Sequence, residues 1–383
     1  MVSMVKNIFS GKNNDSNKNN DAIELATQRQ LIWRRFKRHR LGFTASIVVV
    51  LFYLVVLFAD FLSTAPPVDY AAARGYMPPQ PIKFFQNGHF MSTCEVTGER
   101  NMDTFLMEFT ENCDNSEGIS FFGKGYEYKL WGILSTDRHI LGMKDQTKDP
   151  NAWIHLFGTD KQGRDVFSRT MHATRVSLTI GLVGVALSII FGIFLGAISG
   201  YYGGLIDSLI QRFIEIIRSV PTIPLYMGLS SAFPDDWTIN QVYFMITVII
   251  SLFAWTDLAR VIRGRFLALK DEDFVTAARL NGAKTMRVIF VHMLPSFYSH
   301  IIAQASLSLP LMIVTETSLS FLGLGLRPPA VSYGVLLKDA QNVQSVANMP
   351  WLFIPAIAVI LVILALNFMG DGIRDAADPY QEV

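Results

Sequence analysis

Nineteen consecutive uncharged residues, Leu41 to Ala59, follow directly on a basic run, Arg34-Arg35-Phe36-Lys37-Arg38-His39-Arg40. Only a chain that satisfies its own backbone hydrogen bonds can cross a hydrocarbon layer about 30 Å thick, and roughly 20 apolar residues in a helix do so. The stretch therefore reads as a first transmembrane span. A secretory signal has a shorter apolar region, lies closer to the N-terminus and ends in a small-residue cleavage site, none of which fits here. Four further stretches qualify: Ser177 to Ser199, Ile239 to Thr256, Phe297 to Leu324 and Trp351 to Met369. A sixth, Ile206 to Phe233, is weaker, because Asp207, Arg212, Glu215 and Arg218 occupy its first turns and Pro221 and Pro224 interrupt it. Half of the 383 residues are apolar and 17% are charged, which is unusual for a soluble domain. The expected fold class is all-α: a polytopic membrane protein of six transmembrane helices with an enlarged extracytoplasmic segment.

Orientation follows from Lys and Arg in short loops, which stay on the cytoplasmic side. The two densest patches are the N-terminal run and the cluster Arg260, Arg263, Arg265, Lys270, Arg279, Lys284 and Arg287. Four spans separate them, so they share a side, and both termini are expected in the cytoplasm. Lys161, Arg164, Arg169 and Arg175 run against this rule. Interleaved Asp160 and Asp165 point to a folded segment whose charges pair locally. The resulting organisation is a cytoplasmic tail over 1–40, a first helix over 41–62 and an extracytoplasmic segment over 63–170. A core of five helices follows over 171–374 with a cytosolic loop at 270–296, and then a cytoplasmic end at 375–383. Low complexity is confined to Gly11–Asn20, which reads as a disordered tail.

The chain has two cysteines, Cys94 and Cys113, both in the external segment, where an oxidising compartment permits a disulfide. Closing so short a loop is worth about 3 kcal/mol by chain entropy. In the same segment Gly118-Ile119-Ser120-Phe121-Phe122-Gly123-Lys124-Gly125 imitates a phosphate-binding loop, but Gly stands where Ser or Thr must hold magnesium. No paired His/Glu zinc motif and no nucleophile elbow occurs, so no residues are candidates for catalysis, and no cofactor is expected on this chain.

The charged connector Asp271 to Pro295 is the segment that speaks most to function. Phe274, Ala277, Ala278 and Leu280 to Ala283 gather small and apolar groups on a short helix flanked by Asp271, Glu272, Asp273 and Arg279. Gly282 lets the chain turn, a second helical stretch runs from Thr285 to Met293, and Pro295 marks re-entry toward the membrane. Two short helices at an angle make a protruding knob. Small side chains at its tip let another protein approach closely.

This segment resembles the cytosolic loop of permease subunits of ATP-binding cassette importers: E-A-A, three residues, G, nine residues, I-x-L-P. The chain reads Thr276-Ala277-Ala278, three residues, Gly282, nine residues, His292-Met293-Leu294-Pro295, with Thr276 in place of Glu and His292 in place of Ile. Further blocks resemble the C-type subunit of the dipeptide/oligopeptide branch. They are Gly158-Thr159-Asp160-Lys161-Gln162-Gly163-Arg164-Asp165, Gly200-Tyr201-Tyr202-Gly203-Gly204, Leu319 to Gly325, Pro328-Pro329 with Ser332-Tyr333-Gly334, and Gly370 to Pro379. Together they cover 158–379.

The resemblance implies a type I importer permease in a bacterial inner (plasma) membrane. Its partners would be a second permease of a different, B-type, chain, two cytosolic ATP-binding subunits and an external solute-binding protein. Contacts with membrane lipid and none with nucleic acid are expected, and ATP and magnesium would be bound by the partner subunits. Asp273, Thr276, Ala277, Ala278, Gly282, Ala283, Leu294 and Pro295 are the candidate ATPase-coupling residues. Glu316, an ionisable group at membrane depth, is a candidate for either the translocation path or a helix-packing anchor. Gly192, Gly196 and Gly200 recur at four-residue spacing, which lets another helix pack close to their backbone. Two other classes are disfavoured. A secondary transporter would show a pair of related halves, and a membrane sensor would need an output segment after the last span.

Overall fold

The computed structural model describes residues 28–377, apart from 87–88, 101, 103–106, 145–152, 235 and 343–346. The expected disordered tail at Gly11–Asn20 and the last residues of the expected cytoplasmic end lie outside the described residues. A short helix α1, Gln28–Arg38, leads into α2, Arg40–Leu62. Six strands follow, then α3 (Val166–Tyr202), α4 (Gly204–Ser219), α5 (Thr222–Ser231) and α6 (Ile239–Leu269). The knob begins with α7 (Asp273–Leu280). Past it, α8 (Thr285–Arg287) continues through a π-helical turn, Val288–Met293, and a 3-10 turn, Leu294–Phe297, into α9 (Tyr298–Phe321). The chain closes with α10 (Tyr333–Ala340) and α11 (Ile354–Ala377).

Among the described residues, five helical runs are long and apolar enough to cross a membrane: α2, α3, α6, Thr285–Phe321 and Pro350–Ala377. The sixth expected span is not one helix. It is α4 and α5, parted at Val220–Pro221 because Pro cannot continue a helical ladder. The packing explains why the pair is needed. Tyr243 bonds Thr179, Ser188 bonds Ser251, Gly196 lies against Ala259 and Gly200 against Phe266, so α3 and α6 run parallel. The chain must come back between them. It does so along α6 in reverse, through Asp207–Arg263, Arg218–Asp257 and Tyr226–Phe253.

Parallel packing this close depends on the glycine stripe. A Cβ added at Gly196 would sit 2.6 Å from the Ala259 carbonyl oxygen, and one at Gly200 2.6 Å from Phe266 Cβ. On the other flank α2 and α11 meet at Gly42 and Gly372, and Val49, Val56, Leu178, Ile313, Val362 and Leu366 bury a shared core. The N-terminal basic helix, the end of α11 and the knob thus share one end of the bundle.

At the other end the fold changes. Strands β1 (Ile82–Gln86), β2 (His89–Arg100), β3 (Met107–Phe121) and β6 (Leu141–Met143) form one antiparallel sheet, and β4 (Lys124–Leu130) pairs with β5 (Leu134–Arg138). The chain is mostly helical, and among the described residues its strands are confined to this segment, whose fold the sequence left open. Cys94 and Cys113 are joined by a disulfide between β2 and β3. The phosphate-loop imitation at Gly118 to Gly125 is strand, turn and strand, with no helix N-terminus to receive an anion.

Of the four cations that break the positive-inside pattern, Arg164, Arg169 and Arg175 are paired with carboxylates, and Lys161 lies exposed. Arg164 Nε donates to Asp160 at 2.7 Å and its Nη2 to Asp339 at 3.1 Å, while Arg175 meets Asp60 at 2.7 Å. Asp165 caps α3 by accepting from the Ser168 amide at 2.6 Å. This network lets α3 extend outward three turns beyond the apolar stretch that begins at Ser177. Burial pushes the Asp339 carboxyl up from its ordinary value, and the guanidiniums of Arg169 and Arg164 oppose that shift.

Replacing Gly196 by Leu must drive α3 from α6. It is expected to cost about 1–3 kcal/mol or more and to lower the unfolding midpoint in detergent. Gly264→Ala, where nothing lies within 4 Å of the added carbon, should leave the midpoint unchanged or slightly raised. Equal midpoints for the two variants would remove the glycine stripe as the basis of the packing.

Candidate functional site: the knob and the cleft

The knob is a short helix held by one face. Val275 is fully buried in a cluster with Phe266, Val288, Ile289, Met293, Leu294 and Phe297. The opposite face presents Phe274, Thr276, Ala277 and Leu280, the last 84% exposed. The helix ends in a paired C-cap: the Gly282 amide donates to Arg279 O at 2.9 Å and the Ala283 amide to Ala278 O at 3.1 Å. That cap places Gly282 at φ +77°, a conformation costly for other side chains. Asn281 adds a side-chain bond to Ala277 O at 2.9 Å.

The candidate coupling residues divide accordingly. Asp273, Thr276, Ala277, Gly282 and Pro295 lie on the outer surface. Ala278 and Ala283 are half-buried against the apolar cluster, and Leu294 is part of it. Two further contributors were not among the candidate coupling residues: Met286, which extends the exposed apolar surface, and Tyr201, whose ring lies 5.0 Å from the Arg279 guanidinium. The Tyr201 contact ties the knob to the end of α3. No spacing pattern links residues so far apart in the chain.

Just inside the knob, Arg263 grips both carboxylate oxygens of Asp207 at 2.5 Å, and Ser199 donates to the same carboxylate at 2.5 Å. Helices α3, α4 and α6 are therefore tied together one turn from Gly200. A bidentate pair of this kind has fixed geometry, so it transmits position between helices.

Deeper in the bundle, α3, α4, α5, α6 and α9 enclose a cleft of about 620 Å³. Val185, Ile189, Ile250, Phe253, Leu311 and Met312 form its apolar wall. Ser188, Thr222, Thr256, Gln304, Ser308 and Thr315 supply hydroxyl and amide groups, and the Arg218–Asp257 ion pair and Arg260 supply charge. Glu316, offered by the sequence as a path residue or an anchor, does not line this cleft. It is fully buried and accepts from Ser177 Oγ and Ser320 Oγ, each at 2.8 Å. Ser177 Oγ in turn accepts from the Tyr333 amide at 3.3 Å, and Ser320 Oγ from the Leu326 amide at 3.0 Å. The carboxylate joins α3, α9 and the loop leading to α10.

Residues 192–382 match the family described as binding-protein-dependent transport system inner membrane component. Residues 27–79 match the N-terminal transmembrane domain of oligopeptide transport permease C. The oligopeptide transport system permease protein OppC of Haemophilus influenzae is 39% identical over 260 residues, which covers 68% of this chain and 78% of that protein. OppC of Bacillus subtilis is 34% identical over 255 residues, covering 66% and 77%. The dipeptide transport system permease protein DppC of Lactococcus lactis is 30% identical over 356 residues, covering 91% and 89%. Its unaligned share is shorter than the stretch 82–143, so that similarity takes in at least part of the β-rich segment. The chain belongs to the oligopeptide/dipeptide branch of the ATP-binding cassette permeases. It is a multi-span permease subunit.

Removing the Glu316 carboxylate by substitution with Ala orphans two buried hydroxyls. The expected loss is about 1–3 kcal/mol, read as a lower unfolding midpoint in detergent, with a smaller loss for Glu316→Gln. An unchanged midpoint with altered transport selectivity would instead place Glu316 in the pathway.

Proposed function

We propose that this permease forms half of a translocation path for peptides in a bacterial inner membrane, with both termini cytoplasmic and with ATP hydrolysed by partner subunits. The observation that carries the reading is the knob. It is an exposed surface of small and apolar residues, capped at Gly282 and clamped by Val275 and Tyr201 to the ends of α6 and α3. Exposed Phe274, Leu280 and Met286 suit a groove on an ATP-binding subunit, and Ala277 and Gly282 permit close approach. Such a knob has no need of bound nucleotide. ATP and magnesium belong to the partners in this scheme, and this chain binds no cofactor.

Motion imposed at the knob has a short route to the cleft. The Arg279–Tyr201 contact and the Asp207–Arg263 pair bind the knob end of α3, α4 and α6 into one body, and the same helices wall the cleft. Closure of an ATPase dimer would move that body as a unit, a hinge-type switch between inward and outward access. Relatives named for oligopeptide and dipeptide transport favour peptides as the cargo. The cleft mixes apolar walls with amide- and hydroxyl-bearing side chains, which suits a peptide backbone with varied side chains. A second permease, of the B type, would complete the path, and an external solute-binding protein would deliver the cargo.

The test is an affinity pull-down from mild detergent with co-purified proteins identified. Wild type is expected to bring two ATP-binding subunits and a second permease. Ala277→Arg, on an exposed helix position that tolerates the change, is expected to lose the ATP-binding subunits and keep the second permease. Wild type that purifies with no ATP-binding subunit sinks the proposal.

A further inference from the structure

The β4–β5 hairpin turns at Trp131 and Gly132 and leaves a run of apolar side chains uncovered: Trp131 is 60% exposed, Ile133 88% and Leu134 60%. Nothing in a solvated cap accounts for such a tip. Its position does. The base of the hairpin is bonded to the last turn of α2, where the Ile140 amide donates to Phe61 O at 2.9 Å and His139 Nδ1 lies 2.9 Å from Asp60 O. The tip is bonded one turn further in, where Trp131 Nε1–H donates to Leu57 O at 3.0 Å. One helical turn is roughly 5–6 Å along the axis, so the hairpin descends beside α2 instead of rising away from it.

The depth of that contact can be placed. Asp60, paired with Arg175, marks the polar boundary, and Leu57 lies inside it. Val50, Leu54 and Leu57 recur on one exposed stripe of α2, the flank of a transmembrane helix that lipid covers. Helix α2 is also kinked at Phe58, and two carbonyls there bond outside the helix: Val56 O accepts from Arg175 Nε at 2.9 Å, and Leu57 O accepts from Trp131. A carbonyl freed at this depth has no water to satisfy it and needs a donor. The indole supplies one while keeping its apolar rings toward the same surface as Leu57. Phe58 and Trp131 rings lie 5.8 Å apart, Phe61 and Phe122 5.9 Å, and Phe122 is itself exposed, which continues the apolar surface from helix to hairpin.

We infer that the β4–β5 hairpin is a membrane anchor, with Trp131, Ile133 and Leu134 seated in the outer leaflet of the bilayer at the boundary between headgroups and acyl chains. The occupant of this apolar tip is phospholipid, because the tip continues the lipid-facing stripe of α2 at the same level. Tryptophan with its N–H satisfied and its rings apolar is suited to that boundary. Exposed Lys129, one residue before the strand ends, can reach up to headgroup phosphate. The cap is thereby held by lipid as well as by α2, independently of what the permease carries.

The test places a nitroxide at Ile133→Cys in the full-length protein, reconstituted in phospholipid nanodiscs. Cys94 and Cys113 are bonded to each other and leave the new thiol as the labelling site. Accessibility to oxygen, which concentrates in lipid, is compared with accessibility to a water-soluble nickel chelate, and Glu99→Cys on exposed β2 serves as the aqueous reference. The expected result is an oxygen-to-chelate ratio several-fold higher at position 133 than at position 99. A ratio equal to the reference would put the tip in water and overturn the inference. Low accessibility to both reagents would mean that a protein surface covers the tip, which also overturns it.

Discussion

Two helices that run parallel and touch at backbone level, α3 and α6, set the terms for everything else in this permease. Lipid tails are as apolar as leucine, so helices in a bilayer gain little from hydrophobic burial and associate through close packing and polar contacts. Gly192, Gly196 and Gly200 remove the side chains that would hold α6 away, and Leu258, Ala259 and Phe266 move into the space. Because the two helices point the same way, the chain between them has to travel back. That requirement, more than composition, sets the return course of α4 and α5 along α6, although they are short, broken at Pro221 and carry four charges in the first helix.

The charges of α4 then become useful. Asp207 and Arg218 each find a partner on α6, Arg263 and Asp257, so the broken passage is fastened at two levels to the helix that leads into the knob. The cleft is lined by the second fastening, Arg218–Asp257, and extends from it, away from the first, to Tyr226 and Ile250. The knob is held to the ends of α6 and α3 through Val275 and Tyr201, and those two helices also wall the cleft. The buried groups elsewhere serve a different purpose. Glu316 joins α3 to α9 and to the approach of α10, and Asp160, Arg164 and Asp339 lock the outer end of α3 to α10. Each replaces lost hydration with fixed partners, which a low-dielectric interior demands.

The β-rich cap is built on other principles. Its small core of Met91, Ile119, Met143 and Ile154 is modest, and the disulfide across β2 and β3 supplements it. The cap also grips the end of α2 through main-chain bonds at Asp60, Phe61 and Leu57. A domain this small gains most from whatever restrains it from outside, here a helix end and the apolar surface beside it.

Much of this protein was legible in one dimension because a membrane imposes a one-dimensional rule. A span must be apolar for about 20 residues, so α2, α3, α6, α9 and α11 announce themselves, and the knob stands out as a charged, Gly-punctuated insertion between two of them. Gly282 could be read as a turn because the helix C-cap needs a positive φ that few other residues adopt. The strands of the cap could not be read in the same way: in β3 the alternation of Met107-Glu108-Phe109-Thr110 and Ile119-Ser120-Phe121 is interrupted by a polar stretch from Asp114 to Glu117, and in β2 polar residues fall on both faces. Nor could composition say which faces meet. That Glu316 turns to Ser177 and Ser320 and away from the cleft, that Arg279 lies over Tyr201, and that the β4–β5 hairpin descends along α2 all depend on contacts between residues distant in the chain. Sequence composition determined what had to be in the membrane and where the chain turned; the tertiary structure alone decided which surfaces remained free, because that depends on how the helices pair, and pairing is set by shape complementarity between faces.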